Sequence, residues 1–264
     1  MKKSFLIFCL FVSKFLFSQE LENSNIKCSY LTKFLIDTTN INTKKEEIAG
    51  LWIGTKTSIF KSEQKAIYDS LTKESARKSF ANPVNGRVIL DFSKFRRAYF
   101  IPEVFKNGNK LEIFDKVLNI TYAYESDQKI EWKLIDETKT ISTYKCRKAT
   151  GRYRNKNITV WYTEEIPISE GPYTFKGLPG LVIEAYDEKD FFHFTLIGLK
   201  KVNELIAPIK RNVINTDYQK FSKKRSDYQN DPAGTYFLAT GRTTPKELKD
   251  GIEKMHRSNN NHLD

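Results

Sequence analysis

The sequence predicts a mainly β protein built on a curved antiparallel sheet with few helices. Segments rich in β-branched and aromatic residues follow one another through most of the chain, separated by short Gly, Asn and Pro turn signals. The segment 129–135 alternates, with Ile130, Trp132 and Leu134 on one face and charged residues on the other, as in a half-buried strand. Because the strands do not alternate with helices, a doubly wound sheet is disfavoured. By fold-level analogy, such a sheet resembles the half-barrels of periplasmic lipoprotein carriers.

The first part of the chain contains strands and one helical segment. A mixture of β-branched and aromatic residues predicts a strand near 50–60. A helix is expected over 62–80, although the period of its apolar residues is imperfect. The sequence "NPVNG" at 82–86 is a turn signal, and 87–92 and 97–105 have the composition of strands.

Two further segments predict strands joined by turns. The apolar pattern of 110–126 fits either two strands or one long strand. The segment 143–167 predicts a hairpin, because "RNKN" supplies a turn between flanks rich in Thr, Tyr, Trp and Val.

A second hairpin is predicted over 181–199, where "LVIEAY" and "FFHFTLIGL" flank the polar turn "DEKD". A four-residue loop would pair three residues of each strand on one face: Tyr186 with Phe191, Glu184 with His193, and Val182 with Thr195. The other face is entirely apolar and is expected in the core: Leu181, Ile183, Ala185, Phe192, Phe194 and Leu196.

A short helix is predicted near the end of the sequence. Thr244 is placed to cap it, Pro245 to occupy its first position, and Glu247 to complete a capping box, while Gly251 weakens it. The residues that follow, "SNNNHLD" at 258–264, are expected to fray.

The N-terminal residues predict export. Lys2 and Lys3 precede a short apolar run that Lys14 interrupts, which is typical of a cleaved signal peptide over 1–18 and too short for a spanning helix. The alternative is an uncleaved amphipathic anchor. The remaining residues 19–264 are expected to form a single β-rich domain without a transmembrane segment, in the periplasm, associated with the outer membrane, or secreted.

Cys28 and Cys146 remain after cleavage, and an even number of cysteines in an exported protein permits one disulfide. Such a bond would close a long loop and stabilise the fold by roughly 4 kcal/mol on the chain-entropy model. The alternative is two independent buried thiols.

The formal net charge of +12 is dispersed in short basic runs that match no nucleic-acid-binding motif. For an exported protein, the expected partners are therefore an anionic envelope lipid or an envelope protein rather than nucleic acid. A solvated basic surface with no partner explains the charge equally well.

The stretch "GPYTFKGLPG" at 171–180 predicts a sharp backbone corner before the second hairpin. Pro179 keeps Leu178 out of the helical region, and Gly177 and Gly180 can adopt positive φ. The stretch does not match a phosphate-binding loop, because a strand and not a helix follows it. A structural role is the simpler interpretation, and close approach of a ligand to the backbone is the alternative.

The sequence "FKGLPGLVIEAYD" resembles the signature of the GLPGLI family, exported proteins of Bacteroidota, with Val182 in place of the isoleucine in the family name. Gly177, Leu178, Pro179, Gly180 and Leu181 carry the motif, and the resemblance extends over roughly 110–200. It implies an exported protein of the cell envelope, but no reaction, since the family has no established activity.

No cofactor and no metal site is predicted, because the sequence contains neither a His-Glu-x-x-His nor a Cys-x-x-Cys motif. The favoured hypothesis is a non-enzymatic module that binds an apolar ligand, such as an acyl chain, or an envelope partner. Aromatic residues on the sheet are the candidate ligand-binding residues: Trp132, Trp161, Tyr162, Tyr173, Tyr186 and Phe191.

Two alternatives stay open. One is an envelope hydrolase or peptidase that uses Glu164, Glu165 or a pair formed by Glu184 and His193 as acid and base. The other is a structural assembly module that acts through its basic surface.

Overall fold

A computed structural model describes residues 22–264 except 84, 90–95, 97, 209–211 and 244. The elements in chain order are β1 (Glu22–Leu35), a 3₁₀ turn (Ile41–Thr43), β2 (Lys44–Ile53), β3 (Thr57–Ser62), α1 (Glu63–Ala81), β4 (Glu103–Asn107), β5 (Lys110–Val117), β6 (Ile120–Glu125), β7 (Lys133–Ile141), β8 (Tyr144–Tyr153), β9 (Lys156–Thr163), β10 (Leu181–Asp187), β11 (Phe192–Ile206), β12 (Val213–Asn215), α2 (Tyr218–Asn230), α3 (Pro232–Thr240) and α4 (Lys246–Arg257). The predicted signal peptide, 1–18, lies outside the described residues.

The described strands form one sheet of twelve, in the order β12-β6-β5-β4-β3-β2-β1-β11-β10-β9-β8-β7. Neighbouring strands are antiparallel, except that β12 runs parallel to β6. The sheet does not close, so β7 and β12 are its edges. The prediction of a mainly β protein is confirmed. Among the described residues, no helix is both long and apolar enough to cross a membrane.

The sheet is strongly bent. The rings of Phe60 on β3 and Phe194 on β11 lie 5.9 Å apart, although β2 and β1 separate these strands. In a flat sheet the same strands would be roughly 14 Å apart. The concave face therefore closes around an aromatic core that includes Phe60, Phe100, Phe175 and Phe194. Trp52 belongs to a smaller separate cluster, with Ile59, Phe105, Phe114 and Ile206.

Several predicted elements are present close to their expected positions. Helix α1 begins after Ser62, whose hydroxyl accepts the Lys65 N–H at 3.0 Å as an N-cap. The segment 110–126 forms two strands, β5 and β6, which a turn with Leu118 at φ 56° joins. The first predicted hairpin is β8–β9, with Arg154 at φ 54° in its turn.

Other elements differ from the prediction. Strand β7 begins at Lys133, so only the end of the alternating segment 129–135 is in the sheet. Strand β4 covers only the last part of the predicted strand 97–105, and 87–92 lies partly outside the described residues. Three helices instead of one follow the sheet, and Pro245 precedes α4 as its N-cap residue. Thr244 is outside the described residues.

The second hairpin keeps the predicted faces in a different register. Glu184 pairs with Thr195 and Tyr186 with His193, two residues away from the predicted pairing. Asp187 continues β10, so the four-residue turn is 188–191 instead of the predicted 187–190, and Asp187 Oδ1 accepts the N–H of Phe192 at 2.7 Å. Because the shift is an even number of residues, the apolar face stays buried as predicted.

The segment 258–264, for which the sequence predicts fraying, packs against the protein. Asn261 donates to the Leu35 carbonyl at 2.9 Å, and Asn260 accepts the N–H of Thr38 at 2.9 Å. Leu263 is 3% exposed and belongs to the main core cluster.

The disulfide between Cys28 and Cys146 is absent, and both residues are buried free thiols. Cys28 stands on β1 and Cys146 on β8, and strands β11, β10 and β9 lie between them in the sheet. Burial raises the pKa of Cys28 to about 12 and that of Cys146 to about 11.

Candidate functional site

A buried ion pair fixes the corner that precedes β10. Glu170 and Lys176 contact each other with 5% and 8% of their surfaces exposed. The Glu170 carboxylate also accepts from Ser58 Oγ of β3 at 3.1 Å and from Lys106 Nζ of β4 at 2.8 Å. Lys176 Nζ donates to the Gly171 carbonyl at 3.2 Å. Burial lowers the pKa of Lys176 against the pull of Glu170. The polar residues of the corner therefore tie it to the sheet.

Gly177 and Gly180 of the corner are required to be glycine for two different physical reasons. Gly177 has φ 93°, where a side chain is strained, as the sequence predicts. Gly180 is not at positive φ; a Cβ there would lie 2.0 Å from the Thr163 carbonyl oxygen, so close backbone approach requires glycine. Leu178 and Leu181 are 2% and 0% exposed, which places the apolar residues of the motif in the core.

The six aromatic residues predicted to bind a ligand do not share one surface. Trp132 Nε1 donates to the Lys176 carbonyl at 2.8 Å and so supports the corner. Tyr162 is fully buried in the core. Tyr173 is also buried, with φ 51° and its ring 5.9 Å from that of Tyr153, and it reaches the wall of a cavity.

Trp161 and Tyr186 approach each other, with Trp161 Nε1 3.5 Å from Tyr186 Oη, and Phe191 is half-buried in the turn before β11. Lys139 and Lys148 lie over the Trp161 ring at 4.4 and 5.7 Å from its centroid. The two lysines cover the indole, so it is not an open platform for a ligand.

The expected contact between Glu184 and His193 is present. His193 Nε2 lies 3.2 Å from Glu184 Oε1, and His193 Nδ1 lies 2.6 Å from Asp190 Oδ1. The hydrogen bond to Glu184, with a second one to Asp190, raises the pKa of His193. Lys139 Nζ also contacts Glu184, at 2.5 Å. Carboxylates therefore contact both ring nitrogens of His193.

Glu164 and Glu165 make surface contacts. Glu164 pairs with Arg147 at 3.1 Å, with about half of each side chain exposed. Glu165 Oε1 accepts the N–H of Lys145 at 2.9 Å. Neither residue lines the cavity described next.

A cavity of about 880 Å³ lies between the concave side of the sheet, α1, the helices α2–α4 and the segment 258–264. Eight aromatic side chains contribute to its wall: Phe34, Tyr68, Tyr99, Phe100, Tyr173, Phe192, Tyr228 and Tyr236. Aliphatic residues, among them Ile101, Ile120 and Leu263, fill much of the rest. A concave, mostly apolar space of this size is typical of a small-molecule site.

One region of the cavity wall carries a compact polar cluster. Arg225 of α2 is 8% exposed, and its Nη1 donates to Asp264 Oδ1 at 2.7 Å and lies 3.7 Å from Asp115 Oδ2 of β5. Behind the wall, Tyr124 Oη of β6 donates to Asp264 Oδ2 at 2.8 Å. Burial, reinforced by the Asp264 carboxylate, raises the pKa of Asp115 to about 7 against the effect of Arg225.

Further polar groups line the cavity, among them Lys65, Asn119, His256 and His262. Lys65, which is 5% exposed, contacts Glu103 and lies 3.2 Å from Asp69 Oδ2. His262 lies 2.7 Å from Gln229 Nε2, and burial together with Arg225 lowers its pKa to about 4. The histidine is therefore neutral at neutral pH, and the wall combines a larger apolar surface with polar groups in several places.

Sequence reasoning missed this cavity because its parts are far apart in the chain. Asp115 stands in a strand and Arg225 in the polar segment "KFSKKRSDY", where nothing distinguishes it from its basic neighbours. The usable signal was Phe221, the turn of helix before Arg225, which predicts one buried face.

Comparisons with known proteins identify a local family match and no activity. Residues 152–184, from the end of β8 to within β10, match the family model described as "Protein of unknown function (Porph_ging)". The match includes the corner and its ion pair but covers only a small part of the chain. A search of curated proteins gives no match.

Among solved structures, two of PNGF-II, in the C2 and P21 space groups, are similar at 14% and 15% sequence identity, both with a TM-score of 0.48. Each alignment covers 76% of this chain and 32% of the solved chain, so this chain spans about a third of their length. Similarity at this level does not indicate an activity.

Proposed function

We propose that this chain is an exported, non-enzymatic binding protein that holds a small amphipathic ligand in the cavity beneath α2–α4. The main support for this proposal is the cavity itself, whose volume of about 880 Å³ lies in the range of small-molecule sites. Its aromatic and aliphatic walls would cover the apolar part of the ligand, and the cluster around Arg225 would face its polar end.

The helices above the cavity support this proposal. Tyr236 and Thr240 line the cavity from α3, four residues apart and so on one side of that helix. On another side of α3, Leu238 is 86% exposed. Helix α3 packs on α2 and α4. Helix α2 is anchored to the sheet, because Phe221 stacks on Tyr124 in the main core, so movement of α3 and not of α2 would admit a ligand while the aromatic core stays intact.

The test combines native mass spectrometry of the purified chain with titration by the apolar fluorescent probe diphenylhexatriene. The proposal expects either a co-purifying small molecule or saturable probe binding. Replacing a cavity-lining residue by a larger one, Ile101→Trp, should weaken probe binding about tenfold, since lost burial of two methylenes is worth this much.

Leu134→Trp, at a position on β7 that is 51% exposed, is the matched control and should bind like the unmodified chain. A chain that carries no small molecule and does not bind the probe would refute the proposal. Equal binding by both variants would place any bound probe outside the cavity.

A further inference from the structure

We infer that the place now filled by the Asp264 side chain is a receptor for a carboxylate, and that the ligand of the cavity is an amphipathic carboxylate that competes with Asp264. This inference rests on the proposed binding function and names the class of ligand.

The geometry of Asp264 is that of a bound carboxylate. Asp264 Oδ1 accepts a hydrogen bond from Arg225 Nη1 of α2 at 2.7 Å, and Oδ2 accepts one from Tyr124 Oη of β6 at 2.8 Å. Only 3% of the Asp264 side chain is exposed. Buried guanidinium and phenol groups that converge on two oxygens are the pattern by which proteins recognise carboxylates.

Asp115 completes this arrangement. Its carboxyl group is next to the same guanidinium, with 12% of the side chain exposed. The pKa of about 7 means that it carries a proton below neutral pH and can then donate to a neighbouring carboxylate. An ionised Asp115 would repel an anionic ligand, whereas a protonated Asp115 can donate a hydrogen bond to it.

The residue before Asp264 supplies the apolar part of the same pattern. Leu263 is 3% exposed and lines the cavity beside the polar cluster. The pair Leu263–Asp264 thus places an apolar group and a carboxylate where an acyl chain and its carboxylate would lie. Displacement of Asp264 would also move Leu263 out of the core and break the hydrogen bonds of Asn260 to Thr38 and of Asn261 to Leu35, so the acyl chain of the ligand would take the place of Leu263.

The experiment compares dodecanoate with dodecanol, two probes of equal chain length, by calorimetric titration of the full chain below pH 7. A charge-assisted hydrogen bond predicts that dodecanoate binds about tenfold more tightly. Asp264→Asn removes the internal competitor and should raise the dodecanoate-to-dodecanol affinity ratio about another tenfold. Tyr124→Phe removes one donor and should lower that ratio several-fold.

Asp227→Asn is the matched control, because Asp227 lies on α2 but pairs with Lys223 at the surface. It should leave the ratio unchanged. If both probes bind equally in the unmodified chain, or if Asp264→Asn raises both affinities by one factor, the receptor is refuted while the cavity remains a binding site. Binding of neither probe, nor of diphenylhexatriene, would refute the proposed function itself.

Discussion

Lys176→Met tests whether the ion pair of the corner stabilises the fold. The substitution keeps an unbranched side chain and removes the ammonium, which leaves the Glu170 carboxylate buried beside Ser58 and Lys106. Removal of one partner of a buried pair costs about 3–5 kcal/mol. The lower end, about 3 kcal/mol, is expected because Lys106 Nζ stays 2.8 Å from the carboxylate.

The assay is urea unfolding followed by circular dichroism, with the free energy of unfolding obtained by linear extrapolation. A loss of about 3 kcal/mol also lowers the melting temperature of a domain of this size by roughly 6–12 °C. The double variant Glu170→Gln/Lys176→Met should recover part of the loss, because it no longer buries an uncompensated charge. Lys110→Met, at a surface lysine with 76% of its side chain exposed, is the control and should unfold like the unmodified chain.

The reasoning is wrong if Lys176→Met loses less than about 1 kcal/mol, the range of an exposed pair. It is also wrong if the double variant is no more stable than the single one, since the penalty would then not come from an unpaired carboxylate.

Three further outcomes follow from single contacts. Gly180→Ala should destabilise the fold by more than about 2 kcal/mol in urea unfolding, because its Cβ would lie 2.0 Å from a carbonyl oxygen; Gly198→Ala, with open space around it, should not. The pKa of His193 is raised by its contacts with Glu184 and Asp190. The stabilisation of the fold by these contacts is therefore fully present below the unfolded pKa of about 6.5 and is lost as pH rises through the folded pKa. NMR titration should give a folded pKa of His193 above about 6.5, and His193→Gln should flatten the pH dependence of stability. A folded pKa at or below about 6.5 would show that the contacts with Glu184 and Asp190 do not stabilise the fold. Cys28 and Cys146 should resist a thiol reagent in the folded chain, and both should react after denaturation without reductant. If these two thiols do not react in the denatured chain, the two cysteines form the disulfide after all.

The second hairpin shows what the sequence can and cannot predict about a strand pair. The alternation of apolar and polar residues identified the buried face, because successive side chains of a strand point to opposite faces of the sheet. The register depended on where the turn begins: Asp187 belongs to β10 and its carboxylate accepts the Phe192 N–H, which moves the four-residue turn to 188–191. The Glu184–His193 contact survives because both long side chains reach a diagonal neighbour on the same face.

The candidate site could not be predicted in the same way. Its polar groups come from β5, α2 and 258–264, and their meeting depends on the bending of the sheet. The sequence predicts fraying for 258–264 because polar residues dominate it, yet Leu263 anchors it in the core. Of the six aromatic residues selected from sequence, only Tyr173 lines the cavity, since aromatic content does not reveal which rings are covered.

Tyr173 connects the two parts of the molecule that sequence reasoning treated separately. It stands between Glu170 and Lys176, the ion pair of the corner, and its buried side chain reaches the cavity wall. Its backbone has φ 51°, in the left-handed region that non-glycine residues adopt infrequently. The Glu170–Lys176 ion pair flanks Tyr173, and the hydrogen bonds of Glu170 to Ser58 and Lys106 tie this loop to the sheet. The corner therefore offers no reactive group of its own, but it determines where one wall of the candidate binding site stands.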